Sequence, residues 1–294
     1  MPGAVEATPL DAEVPGGRLA CFRFGAPSVQ PFVIAVHGIT SNSRAWLPVA
    51  RCLGHHAALI AVDLRGRGRS SDLPGPYGID AHVRDLLAVI DALDLDRAVL
   101  AGHSLGAYVV AQLAVSHPDR ARAVVMVDGG LPIPGMENPD PRALDAFLGP
   151  ALARLKLRFP DRESYRAWWR QHPALRDSDV ADPDLAAYAD HDLVGEAPEL
   201  RSSVVEAAVR ADAADLAGAA DAAYRLSLPA QLLCAPLGLL DDPHPMQPFE
   251  LARAWSAGDP DRRKAVLVPD VNHYTITLGP RGAAAVAQAI AAAS

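Results

Sequence analysis

The stretch Ala98-Val99-Leu100-Ala101-Gly102-His103-Ser104-Leu105-Gly106 decides how this chain folds. Its first four residues are apolar, as in a buried strand, and the helix-forming residues 107–117 follow directly. Ser104 is thus the centre of a G-x-S-x-G pattern that lies between a strand and a helix, which is where such a serine is a nucleophile. The turn is so tight that its flanking residues must lack bulk, and glycines at both ends meet that requirement. We predict that Ser104 is a nucleophile.

Length, composition and charge limit what the rest of the chain can be. Half of the 294 residues are apolar, which is enough for one large α/β domain with an insertion or for two small domains. The formal net charge is −8 without a basic tract, so we expect no nucleic-acid partner and no membrane partner. The sequence has neither a signal-peptide pattern nor an apolar stretch of about 18 residues, so we expect a cytoplasmic protein. The oligomeric state stays open.

Nothing in the sequence indicates a cofactor. Cys21, Cys52 and Cys234 have neither C-x-x-C nor metal-type spacing, which favours free thiols. The Gly66-x-Gly68 turn lacks the third glycine of a dinucleotide-binding motif, and there is no P-loop. We therefore expect no metal ion and no nucleotide.

Short apolar runs alternate with amphipathic helical stretches, the pattern of a mostly parallel sheet flanked by helices. The predicted strands are 31–36, 58–62, 98–101, 123–127, 231–235 and 265–268, preceded by a hairpin within 14–24. The predicted helices are 43–53, 79–93, 107–117 and 281–293. Residues 131–228 break this alternation and predict an inserted helical cap. Residues 1–130 and 229–294 would then form the core.

Four motifs together carry a resemblance to a known family. They are His37-Gly38-Ile39-Thr40, the stretch from Asp63 to Ser70, the turn at Ser104, and the stretch from Val268 to His273. With them, the chain resembles the α/β-hydrolase superfamily, in particular its capped group of esterases, lactonases and carbon-carbon bond hydrolases. The resemblance implies an α/β fold whose mostly parallel sheet is flanked by helices and carries an inserted helical cap.

A serine hydroxyl is a weak nucleophile, so it needs a base that takes its proton during attack. His273 follows the predicted last strand by a short loop, where the family has its histidine, and we predict that it is this base. The tetrahedral intermediate also needs donors for its oxyanion. The resemblance assigns that role to the backbone N–H groups of Ile39 and Leu105.

The acid that orients His273 has two candidates. In most relatives it follows the strand after the cap, where this chain has Asp241, two or three residues late. Asp128 ends the predicted strand 123–127 and lies 24 residues after Ser104. That separation accommodates a turn, a helix, a loop and one strand, so Asp128 would lie beside Ser104 at the same edge of the sheet. We favour Asp128 and keep Asp241 as the alternate acid.

Trp168 and Trp169 in the predicted cap are candidates for the substrate pocket, although aromatic residues in such a segment more often form its own core. The predicted substrate is a small, mostly apolar carboxylic ester or lactone, cleaved through an acyl-enzyme. One alternative is hydrolysis of a carbon-carbon bond in a diketone-like metabolite, and another is a ligand receptor or regulator that retains the triad. A perhydrolase would share the same triad. Ser104 disfavours dehalogenases and epoxide hydrolases, which attack with an aspartate.

Overall fold

An eight-stranded sheet forms the centre of the computed structural model, which describes residues 7–25, 32–136 and 141–294. The strands of this sheet are β1 (Ala7–Val14), β2 (Gly17–Phe24), β3 (Phe32–Val36), β4 (Ala58–Val62), β5 (Ala98–His103), β6 (Ala121–Val127), β9 (Ala230–Cys234) and β10 (Arg263–Leu267). Their order is β1-β2-β4-β3-β5-β6-β9-β10. The hairpin β1-β2 is antiparallel and joins β4 in antiparallel register, and the other neighbours are parallel. The predicted fold class is confirmed.

Helices cover both faces of the sheet. They are α1 (Leu47–Leu53), α2 (Ile79–Ala92), α3 (Leu105–Ser116), α9 (Phe249–Ala257), α10 (Thr275–Leu278) and α11 (Pro280–Ala293). Apolar side chains of α2 and α3 pack on one face of the central strands, and those of α1 and α11 pack on the other. The central strands are apolar on both sides because both sides are buried, as expected for parallel strands.

Between β6 and β9, the described residues form five helices and two short strands. They are α4 (Pro141–Leu155), α5 (Arg162–Arg170), α6 (Asp182–Asp192), α7 (Glu206–Ala219) and α8 (Ala222–Arg225), with a two-stranded sheet of β7 (Leu193–Val194) and β8 (Arg201–Ser202). We call residues 141–225 the inserted segment. Side chains of α8 join the core cluster around α3. The division of the chain into a core and a cap stays a prediction. Residues 1–6, 26–31 and 137–140 of the predicted core and cap lie outside the described residues.

Two further observations concern the chain as a whole. The three cysteines are free, with Cys21 and Cys234 buried and Cys52 exposed. Among the described helices, none has the length and apolar character needed to cross a bilayer.

Candidate active site

Ser104 lies in a strained turn between β5 and α3. Its backbone has φ 54° and ψ −120°, a combination that L-residues rarely adopt and that is retained mostly at functional sites. Backbone packs directly on backbone here. A Cβ atom on Gly102 would lie 2.2 Å from the carbonyl oxygen of Gly106, and one on Gly106 would lie 2.1 Å from that of Val36. Space alone therefore requires both glycines.

The loop 37–41 that follows β3, called the β3 loop below, passes close to Ser104. A Cβ atom on Gly38 would lie 3.2 Å from Cβ and 3.6 Å from Oγ of Ser104. Within the described residues, the backbone N–H groups of Ile39 and Leu105 have no hydrogen-bond acceptor. Leu105 opens α3, where the positive end of the helix dipole favours a negative charge. Both N–H groups are thus available to an oxygen atom beside Ser104.

His273 and Asp128 form a buried pair next to this turn. His273 Nδ1 lies 2.6 Å from Asp128 Oδ2, and the backbone N–H of Ala235 donates to Asp128 Oδ1 at 3.1 Å. Because an ionised carboxylate only accepts hydrogen bonds, the proton is assigned to Nδ1 and the lone pair of neutral His273 to Nε2. Asp128 follows β6, the parallel neighbour of β5, so it lies at the same sheet edge as Ser104.

Asp241, the alternate acid, lies elsewhere. It is exposed, and its Oδ1 accepts a hydrogen bond from Asn272 Nδ2 at 2.9 Å. The structure therefore brings Asp128, and not Asp241, to the ring of His273. Asp241 instead contacts the side chain of the residue that precedes this histidine.

Two other histidines hold the loops around Ser104. His103 Nε2 donates to the carbonyl of His273 at 2.9 Å. Burial holds the pKa of His103 well below its usual value, because a charge on this ring would be desolvated and would lie beside the ring of His273. His37 Nδ1 donates to the carbonyl of Gly38 at 2.7 Å and its Nε2 accepts from the N–H of Leu64 at 3.0 Å. Burial lowers the pKa of His37 to about 4, so both rings are neutral at pH 7.

Ser104 and His273 line a cavity of about 80 Å³. This cavity lies next to an outer chamber of about 510 Å³, and five residues line both. The shared residues are Thr40, Ala151, Leu239, Met246 and Tyr274. The outer chamber therefore adjoins the space in front of Ser104.

Trp168 and Trp169 of α5 both line the outer chamber. Trp169 is 1% exposed and packs in an apolar cluster with Tyr165 and Tyr188, whereas Trp168 stays partly exposed. Trp169 is thus part of the segment's own core as well as of the chamber wall, and Trp168 offers the freer surface.

Sequence reasoning missed several chamber residues, of which some left a signal. His172 follows Trp168 and Trp169 at helical spacing, and all three line the chamber. Tyr274 directly follows His273 in the sequence. Arg154, whose guanidinium is buried, left no sequence signal because its partners are distant along the chain.

Within residues 7–25, 32–136 and 141–294, no group of His, Cys, Asp and Glu side chains is arranged to hold a metal ion. What the site does contain is a serine in a strained turn, a histidine of fixed tautomer and two free N–H groups. These parts suit nucleophilic attack on a carbonyl group.

A model of the alpha/beta hydrolase fold matches residues 31–189, just over half of the chain. Lipase LipV of Mycobacterium tuberculosis is 32% identical over 171 residues, which cover 54% of this chain and 59% of that protein. A 2-(acetamidomethylene)succinate hydrolase of Mesorhizobium japonicum is 38% identical over 98 residues, 33% of this chain and 35% of that protein. The matches thus span less than two thirds of either curated relative.

The fold extends over nearly the whole chain in one solved structure. The crystal structure of E-2-(acetamidomethylene)succinate hydrolase superposes with a TM-score of 0.77 at 25% identity and covers 97% of this chain and 98% of its own. The inserted segment is therefore included in the likeness.

Proposed function

Because the chain belongs to the α/β-hydrolase fold family, we propose that it is a serine hydrolase that cleaves a carboxylic ester or lactone. Ser104 is the nucleophile, His273 the general base and Asp128 the acid that orients it. The observation that carries this proposal is the 2.6 Å contact between His273 Nδ1 and Asp128 Oδ2, next to the strained turn of Ser104. A histidine held in this tautomer presents its basic Nε2 to a serine hydroxyl.

In the acylation step, Oγ of Ser104 attacks the carbonyl carbon of the substrate while His273 Nε2 takes the hydroxyl proton. Negative charge develops on the carbonyl oxygen, where the N–H groups of Ile39 and Leu105 donate to it. Asp128 stabilises the imidazolium, which then gives its proton to the leaving alkoxide. The products are an alcohol and an acyl-enzyme ester on Ser104.

Deacylation repeats the sequence with water as the nucleophile. His273 Nε2 takes a proton from water, the hydroxide oxygen attacks the acyl carbon, and the same two N–H groups hold the oxyanion. The proton then returns to Oγ of Ser104, and the carboxylic acid leaves. With a lactone, the alcohol and the acid leave as one hydroxy acid.

The proposed substrate is mostly apolar. Leu239, Met246 and Tyr274 line both the cavity and the chamber, and Trp168 adds an aromatic face. Such walls gain free energy by burying hydrocarbon, at about 25 cal/mol per Å². The name of the relative Lipase LipV supports the ester class.

The test is hydrolysis of p-nitrophenyl esters from acetate to dodecanoate by the wild type, Ser104→Ala and Ser116→Ala. Ser116 is an exposed serine at the end of the same helix, which makes it the matched control. We expect turnover by the wild type and Ser116→Ala, and its loss in Ser104→Ala. Mass spectrometry should detect an acyl adduct on the wild type and on Ser116→Ala, but not on Ser104→Ala.

Two outcomes would contradict the proposal. If Ser104→Ala hydrolysed the esters as fast as the wild type, Ser104 would not be the nucleophile. Absence of both turnover and acyl adduct in the wild type would favour the carbon-carbon bond hydrolase or the receptor, which a diketone substrate then separates.

A further inference from the structure

Two buried arginines hold consecutive carbonyl groups of the β3 loop. Arg67 Nε donates to the carbonyl of Ile39 at 3.0 Å, and Arg154 Nη2 donates to that of Thr40 at 2.9 Å. The side chain of Arg67 is fully buried and that of Arg154 is 3% exposed. Hydrogen bonds from charged donors are strong in such places, because water does not compete for them.

Each guanidinium is fixed in turn by a carboxylate of the inserted segment. Asp212 of α7 lies 2.5 Å from Arg67 Nη2, and Asp192 at the end of α6 lies 2.7 Å from Arg154 Nη1. The remaining side-chain and backbone partners of these carboxylates are Gly78 and His82 for Asp212, and Tyr165, Ser202 and Ser203 for Asp192. Both arginines therefore connect the inserted segment to the β3 loop.

These bonds limit how the backbone at Ile39 can rotate. The carbonyl of Ile39 lies in the peptide plane after its own N–H group, and the carbonyl of Thr40 lies in the next plane. The N–H of Ile39 shares its own peptide plane with the carbonyl of Gly38, which accepts hydrogen bonds from His37 Nδ1 at 2.7 Å and from the N–H of Ser41 at 3.1 Å. The two arginines fix the next two planes, so these bonds together limit backbone rotation on both sides of Ile39. Donors that are fixed before the charge develops cost no reorganisation during the reaction.

We propose that Arg67 and Arg154 are positioning residues that hold the oxyanion donor of Ile39, and that Asp212 and Asp192 make this hold depend on the inserted segment. This inference rests on the proposed function, since it gives Ile39 a role in stabilising an oxyanion. The two arginines act through the β3 loop and do not touch the reacting atoms.

Arg65 provides a matched control. It forms an equally buried pair with Asp85, through hydrogen bonds of 2.7 Å and 2.6 Å, and donates to the carbonyl of Pro74 rather than to the β3 loop. Lysine keeps the charge in each of the three places but loses the planar fork that bonds two partners at once. A general effect of weakening a buried ion pair should therefore appear in Arg65→Lys as well.

The experiment compares Arg67→Lys, Arg154→Lys and Arg65→Lys with the wild type. A trifluoromethyl ketone adds to a serine and mimics the tetrahedral intermediate, whereas the carboxylic acid product mimics the ground state. We expect the first two variants to lose about 10- to 100-fold in both kcat and ketone affinity, since a small misplacement of a catalytic group costs up to about 100-fold. Inhibition by the product acid should stay unchanged, and Arg65→Lys should match the wild type.

Hydrogen exchange of peptides from residues 37–46 gives a readout without turnover. We expect faster exchange in Arg67→Lys and Arg154→Lys than in Arg65→Lys. The inference would be overturned if Arg67→Lys and Arg154→Lys both kept the kcat and the exchange rate of the wild type. It would also be overturned if Arg65→Lys lost as much kcat and ketone affinity as they do. If the wild type binds the ketone but hydrolyses no ester, the proposed function fails while ketone affinity and exchange still decide the inference. A wild type that binds no ketone would overturn both.

Discussion

At the scale of single residues, the proposed chemistry depends on the acid that faces His273. Both oxygens of Asp128 are engaged, one by His273 Nδ1 and one by the N–H of Ala235. An asparagine would fit the same space, but its amide nitrogen can donate to the ring and so favour the wrong tautomer. An Asp→Asn substitution replaces a single oxygen atom by nitrogen, so it can test each of the two candidate acids without a change in size.

We expect Asp128→Asn to lower kcat by about 10⁴-fold, because Nε2 would then carry the proton that it should accept. Asp241→Asn serves as the control, since Asp241 contacts Asn272 and not His273. Steady-state kinetics on the best p-nitrophenyl ester measures both. A larger loss in Asp241→Asn than in Asp128→Asn would move the acid to the strand after the inserted segment.

The site could be predicted only where chemistry and chain position coincide. The position of Asp128 beside Ser104 was predictable, because a carboxylate ends an apolar strand at the right distance from that serine. Arg67 and Arg154 were not, because their anchors, Asp212 and Asp192, are far away in sequence and follow no periodic spacing. A buried ion pair between distant segments exists only once the chain has folded.

At the scale of elements, α5 contributes Trp168 and Trp169 to the wall of the outer chamber. Trp168 lines only the outer chamber, so a short acyl group at Ser104 would not reach it. Burial of an aromatic face should matter only for substrates long enough to fill the chamber.

We expect Trp168→Ala to lower kcat/KM for decanoate and dodecanoate esters about tenfold, mainly through KM, and to leave acetate unchanged. The measurement is the dependence of kcat/KM on acyl length. Tyr224→Ala removes an aromatic side chain that is 43% exposed and lines neither space, so it controls for loss of an aromatic in general. Equal losses for all esters would show that α5 acts through stability instead.

The elements themselves were predictable to different degrees. The continuous apolar runs predicted β3 to β6 and β9 to within two residues, because a strand buried on both faces must be apolar throughout. The predicted hairpin within 14–24 was wrong about β1, which spans Ala7–Val14 and is only partly buried, so no apolar run marks it. Residue 31 of the first predicted strand lies outside the described residues. The pieces of the inserted segment were not predicted one by one. Strands as short as β7 and β8 have two residues each, too few for any pattern.

At the scale of the whole molecule, several groups with lowered pKa values make stability depend on pH, among them the buried His37 and Asp63 and the partly buried His172. Burial lowers the pKa of His37 and of His172 to about 4, with the charge of Arg154 as a second cause for His172. Burial alone would raise the pKa of Asp63, but the hydrogen bond and charge of His191, 2.6 Å away, outweigh it and lower this pKa to about 2.

These shifts predict loss of stability in two stages. An unfolded histidine takes up a proton near pH 6.5, so the free energy of unfolding should fall as pH drops from about 6.5 to about 4. The lowered pKa of Asp63 adds stability above its unfolded value of about 3.9, which is lost as pH falls towards about 2. Urea unfolding at a series of pH values measures both stages. His172→Gln should make the first stage shallower, and equal stability at pH 7 and pH 5 would contradict the prediction.

The ion pairs of Arg67 and Arg154 also affect whether the inserted segment could be replaced by that of a related protein. The inserted segment leaves the sheet after β6 and returns at β9, two neighbouring strands, so recombination could in principle replace it as a single block. Arg67, however, lies outside the inserted segment and pairs with Asp212 inside it, whereas Arg154 and Asp192 both lie within the segment. A chimera that imports a foreign segment without a carboxylate opposite Arg67 would bury an uncompensated charge beside Ile39. New specificities should therefore arise more readily by substitutions within this segment than by its wholesale replacement.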